Sequence, residues 1–166
     1  MKSIKVEELT AVAFSPFGSF AKLVNPDSEK LGAPPVEFFR DAVQQDLGGS
    51  AIASFSTCRV EKRDFVIVVS EYHTKCGEGI MPLDNDVLIH VAPATPPNAV
   101  VPVDKIRVFR VPKGTMVTLR PGVWHGAPWT ASGQPANVLV VLPERTYAND
   151  CVFVKHSEAE KLKIDV

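Results

Sequence analysis

Ser70–Asp84 reads SEYHTKCGEGIMPLD, and Lys113–Trp129 answers it with KGTMVTLRPGVWHGAPW. The first stretch gathers Glu71, His73 and Glu78 within eight residues, directly after the apolar run FVIVV at Phe65–Val69. The second carries a β-branched run, then the turn pair Pro121–Gly122, then His125. Residues two apart on a strand point to one face, so Glu71 and His73 share a face if the strand continues through Tyr72. Glu78 lies past a tight turn on Cys76–Gly77 and can fold back to meet them. Pro121–Gly122 aims His125, with Trp124 on the opposite face. Imidazole and carboxylate ligands together suit borderline divalent ions such as Mn, Fe, Co, Ni or Zn, and the sequence does not choose among them.

Outward from this pair of stretches the chain reads as the β scaffold that holds them. AIASFSTC, DFVIVVSEYH, DVLIHVAPA, IRVFRV, TMVTL and NVLVVL are runs rich in Val, Ile, Thr and Phe. EKRD, PLDND, PPN, PKG, RPG and SGQP separate them. That spacing suits an antiparallel barrel or sandwich and is too tight for βαβ crossovers. CVFVKH (Cys151–His156) adds a last strand. Before Gly49, AFSPFG (Ala13–Gly18) is a turn whose two phenylalanines anchor to the core, and SFAKLV alternates as an edge strand. Helix is expected in two places. Val36–Leu47 puts Phe38, Phe39, Val43 and Leu47 on roughly one face before Gly48–Gly49, and SEAEKLKI offers Ser157 as N-cap with Glu160 in the capping-box position.

Composition bounds the rest. A chain of 166 residues is expected to be a single domain over residues 1–166, burying roughly two-thirds of its unfolded surface. Lys and Arg (18) nearly balance Asp and Glu (19) and are interspersed, so neither a nucleic-acid groove nor a polybasic membrane patch is expected. No apolar run approaches the roughly 18 residues of a membrane-spanning helix, and MKSIKVEELT has no signal-peptide core, so the expected location is the cytoplasm. Cys58, Cys76 and Cys151 lack CxxC spacing and read as reduced thiols. Cys76 reads as a small turn residue rather than a nucleophile, and His90 and His156 as surface or satisfied core residues.

The spacing E71-x-H73-x4-E78-x3-P82, followed by G114-x6-PG-x2-H125, resembles the two-part metal motif of the cupin superfamily. In that motif the first part has two histidines and a glutamate, and here Glu71 stands where the first histidine would be. More narrowly, AFSPFG, the Arg of STCR, EYHTKCGEGIMP and VWHGAPW resemble the ureidoglycolate lyase family, in the same order over roughly residues 9 to 151. Three departures stand out. Gly126 occupies the place of a second histidine after VWH, Glu78 replaces an amide, and Glu144–Arg145 stands where the family has an Asp-Arg pair.

The resemblance implies a mainly β, cupin-like barrel with one or two short helices, a divalent metal ion, and a small carboxylate substrate, ureidoglycolate. It implies His73, Glu78 and His125 on the metal, with Glu71 as fourth ligand or catalytic base. Arg59 is expected to clamp the substrate carboxylate bidentately. Trp124 is expected beside the substrate, and Lys75 is either a second cation there or a solvated loop lysine. A homodimer is expected by analogy with cupin barrels. Because the scaffold serves many reactions, another metal-dependent enzyme or a ligand-binding module stands as the alternative.

Overall fold

The computed structural model describes all 166 residues. Elements are numbered in chain order. The N-terminal part contains β1 (Lys2–Glu8), α1 (Ala11–Phe14), β2 (Gly18–Lys22), β3 (Leu31–Ala33) and β4 (Val36–Phe38). Then come β5 (Ala53–Val60), β6 (Val66–Ile67), β7 (Val69–Tyr72), β8 (Glu78–Pro82) and β9 (Val87–Val91). The remainder is β10 (Arg107–Val111), β11 (Thr115–Leu119), β12 (Trp129–Thr130), β13 (Ala136–Pro143), α2 (Thr146–Asn149), β14 (Val152–Lys155) and β15 (Leu162–Asp165).

Two curled sheets make the barrel. One has the order β2-β11-β8-β13-β5, with β2 at its edge as its alternation implies; the other runs β12-β9-β10-β1-β15-β6. β14 pairs separately with β7, and β3 with β4. All ladders are antiparallel except those of β1, which runs parallel to both β10 and β15. Parallel neighbours need long connections, and β1 meets this by pairing with strands far along the chain. The wholly antiparallel expectation is corrected at this one strand.

The residues alternate as the strands require. In β9, Val87, Ile89 and Val91 join the barrel core, while Leu88 joins a second cluster with Trp124, Trp129, Tyr72, Ile67, Leu162 and Ile164. The phenylalanines of AFSPFG do anchor to the core: Phe14 and Phe17 are buried, and Phe14 stands edge-on to Phe109 at 5.3 Å between ring centres. Each such ring contributes about 1.5–3 kcal/mol through burial. Thr10 caps the short α1 by accepting from the Ala13 amide at 3.2 Å.

Both expected helices are corrected. Val36–Leu47 is β4 followed by turns, for β4 pairs with β3 across Pro34–Pro35. Phe38 is exposed, so the apolar stripe of a helix there has nothing to pack against. Gln45 instead straps this segment to the barrel, donating to the carbonyls of Gly77 (3.2 Å) and Val141 (2.8 Å). At the C-terminus the capping interaction forms, with the Ser157 amide and hydroxyl bonded to Glu160 at 2.9 and 2.6 Å. The chain then leaves as β15 because Leu162 and Ile164 bury on one face while Lys163 and Asp165 face water, a period of two.

Candidate active site

β7 and β8 carry the first stretch and the loop Thr74–Gly77 joins them. Glu71 and His125 are tied by reciprocal backbone hydrogen bonds, 2.7 and 2.9 Å, which bring the second stretch alongside the first. The turn at Pro121–Gly122 sets this alignment. Gly122 has φ +79, a left-handed conformation natural to glycine, and its amide donates to the His73 carbonyl at 2.6 Å.

Inside the barrel His73, Glu78 and His125 converge, with candidate ligand atoms all within 4.8 Å of one another. All three are buried. Glu78 Oε2 lies 2.9 Å from His73 Nε2 and 2.9 Å from His125 Nε2. The outer nitrogens are committed elsewhere: His73 Nδ1 lies 2.6 Å from the Asp150 carbonyl and His125 Nδ1 2.8 Å from that of Val123. A carbonyl only accepts, so each Nδ1 carries the proton and each Nε2 points inward. Burial alone would favour neutral forms. Attraction between the Glu78 carboxylate and His125, then their hydrogen bond and that of His73, outweighs it and draws the Glu78 pKa down to about 2. His125 moves the other way, to about 9, because Glu78 and then Glu71 outweigh its burial.

A cavity of about 70 Å³ adjoins this cluster, lined among others by Cys58, Glu71, Glu78, Gly126 and Tyr147. Glu71 is buried beside the cluster, and its Oε2 accepts from the Cys151 thiol at 3.3 Å. Burial and that bond push Cys151 up to about 12, so it serves as a neutral donor.

Three expected substrate contacts are corrected. Arg59 is exposed and paired with Glu61 at 3.2 Å, because in β5 it is Cys58 and Val60 that face the barrel. Lys75 lies on the far side of its loop, lining a separate recess with Gly48, Glu144 and Asp150. Trp124 is buried in the second cluster, edge-on to Tyr72 and donating from Nε1 to Thr95 Oγ1 at 3.0 Å. His90 and His156 are both core residues, hydrogen-bonded to the Ser70 hydroxyl at 2.9 Å each.

A family model described as ureidoglycolate lyase matches residues 1–164. The chain belongs to the ureidoglycolate lyase family. The ureidoglycolate lyase of Burkholderia mallei is 28% identical over 145 residues, covering 85% of this chain and 82% of that relative. The ureidoglycolate lyase of Rhodobacter capsulatus is 30% identical over 142 residues, covering 83% and 86%. Among solved structures, a dTDP sugar isomerase from Desulfovibrio desulfuricans G20 superposes with TM-score 0.54 over 87% of this chain and 89% of that one, at 13% identity. At that identity the likeness is one of fold, the cupin-type β-barrel.

Within this family member, the segment Arg145–Lys155 contributes residues that sequence reading missed. Tyr147 lines the cavity, its ring edge-on to His73 at 6.1 Å. Burial, then the Glu78 and Glu71 carboxylates, push its phenol well above the usual range, so it keeps its proton. The Asp150 carboxylate accepts from the Thr74 amide (2.8 Å), the Thr74 hydroxyl (2.5 Å) and the Lys75 amide (2.7 Å), pinning the loop between the two ligand strands. The one sequence signal was RTYAND, a polar run between two strands, where functional side chains concentrate. No helix of the chain is long and apolar enough to cross a membrane.

Proposed function

We propose that this chain is a lyase that splits ureidoglycolate into glyoxylate and urea, working at a divalent ion held by His73, Glu78 and His125. The observation that carries it is the pair of inward Nε2 atoms facing one carboxylate oxygen at 2.9 Å each, with both Nδ1 protons already bonded to carbonyls. Once the inner proton of His125 leaves, both Nε2 atoms and the Glu78 carboxylate converge on one point, an arrangement that fits a cation at the centre. Two histidines and a carboxylate, oriented by carbonyls behind them, are a donor set that fits a borderline divalent metal. When bound, the ion would supply Lewis-acid polarisation of the substrate's oxygens.

The remaining chemistry falls to the chain's own side chains. The elimination needs a base for the hydroxyl proton and an acid for the departing nitrogen. Glu71 reaches the cavity and takes the hydroxyl proton. As the C–O bond becomes a carbonyl, the carbon–nitrogen bond breaks and its electron pair goes to nitrogen. Tyr147, held protonated, donates to that nitrogen and recovers its proton from Glu71, so that the net transfer is from oxygen to nitrogen. The same reading places the protein in the cytoplasm as a homodimer, which light scattering on the purified protein tests. The function itself is tested by urea release from ureidoglycolate, with metal content measured on the same sample. Metal without urea favours a different cupin enzyme, and neither favours a ligand-binding module.

A further inference from the structure

The cavity beside the histidine cluster is small. Its roughly 70 Å³ equals the share of about two waters in the liquid. A second cavity of about 170 Å³, room for about five or six waters, lies against it and shares Glu71, Gly126 and Ala127 as a common wall. Its other lining residues include Arg63, His90 and Trp129. The ligand cluster accounts for none of these three.

Each polar group in the second cavity has bonding capacity left over. Arg63 sits at the rim with its guanidinium 4.1 Å above the Trp129 ring, and Nη2 donates to the carbonyls of Ala127 (2.6 Å) and Pro128 (2.9 Å). That fixes the fork while Nε–H and the Nη1 hydrogens have no acceptor in the protein. Glu71 uses Oε2 for Cys151, which leaves Oε1. His90 Nδ1 is the one buried side-chain nitrogen or oxygen without a hydrogen-bond partner. Burial holds His90 neutral by lowering its pKa to about 3, so Nδ1 is either an unmatched donor or an unmatched acceptor, depending on which way the Ser70 hydroxyl points. Gly126 makes room for this ring, for a Cβ there would stand 2.7 Å from His90 Cε1.

Donors on one side, an acceptor on the other and flat apolar walls between them define the ligand. An anion would face the Glu71 carboxyl, and a cation would face Arg63. A neutral planar group with a carbonyl and N–H bonds satisfies both. We infer that this second cavity binds the ureido group of the substrate, its carbonyl on Arg63 and its N–H on Glu71, with the buried His90 ring as part of the wall. The assignment deepens the lyase reading and rests on it for the identity of the substrate. It places Arg63, and not Arg59, among the specificity-determining residues.

Urea itself is the probe, titrated at millimolar concentration into the full chain while the tryptophan fluorescence, to which Trp129 contributes, is followed. Wild-type protein is expected to give a saturable change that acetate does not compete away. Arg63→Gln is expected to weaken urea binding about tenfold to a hundredfold, the loss of a charged hydrogen-bonding partner. Arg110→Gln, which breaks a surface pair with Asp86, is expected to leave it unchanged. Should Arg63→Gln fail to fold, the Nε–H resonance of Arg63 in wild-type protein reports instead and is expected to move with urea. No saturable response, equal urea affinity in Arg63→Gln, a motionless Arg63 resonance, or displacement of urea by acetate each overturns the inference. Failure of the lyase reading looks different: urea binds and depends on Arg63, yet ureidoglycolate yields none.

Discussion

The backbone carbonyl of Asp150 holds His73 Nδ1 at 2.6 Å, while the same residue's carboxylate grips the loop that follows His73. One residue thus sets the tautomer of a candidate ligand and the path of the chain between His73 and Glu78. Its effect on the centre is indirect, through positioning.

Asp150→Ala is therefore expected to loosen the Thr74–Lys75 turn and lower affinity for a divalent ion by about tenfold to a hundredfold, as removal of supporting shells does. Equilibrium dialysis against a metal buffer measures this. Asp150→Asn retains one acceptor oxygen and should recover part of the loss.

The pH behaviour follows from the two shifted groups. The His125 pKa is raised to about 9 in the folded protein, so its contribution to the metal-free fold is complete below about 6.5 and lost as pH rises through about 9. The Glu78 pKa is lowered to about 2, so its contribution is complete above about 4.5 and lost as pH falls through about 2. Metal-free protein should be most stable between about pH 4.5 and 6.5. A metal ion must displace the His125 proton, so binding at pH 7 should release close to one proton per ion. Calorimetry in two buffers of different ionisation enthalpy counts that proton.

Tyr147→Phe removes the phenol proton while keeping the ring against His73. kcat is expected to fall by about 10²–10⁴-fold with metal content unchanged, as loss of a positioned acid does. Steady-state kinetics beside metal analysis separates this from a damaged centre.

Phe14→Ala is a test of the scaffold alone. Phe14 is fully buried among Phe17, Phe20 and Phe109, so truncation should cost about 3–5 kcal/mol. Denaturant unfolding of wild type and variant gives the difference.

How far the sequence carried the reading can be seen in single residues. The strands from Ala53 onward were legible because β-branched runs stood between Gly and Pro turns. His73, Glu78 and His125 were legible because a period of two and two tight turns act locally. Arg59 was misplaced by one position, since whether Cys58 or Arg59 faces inward is set by the pairing of β5 with β13, a long-range register. Val36–Leu47 carried a helical stripe that no other element covers. Arg63, Tyr147 and Asp150 owe their places to partners 64 to 77 residues away along the chain, and no local pattern encodes such meetings. The sheet-forming Leu162 and Ile164 were masked by the capping pair just before them.

The central claim joins a metal centre of His73, Glu78 and His125 to cleavage of ureidoglycolate, and urea release tests both halves at once. Wild-type protein loaded with a divalent ion and given ureidoglycolate should produce urea and glyoxylate in equal amounts, and His125→Ala should abolish the activity along with most of the bound metal. Urea release that survives in His125→Ala, or none from metal-loaded wild type, would contradict the account.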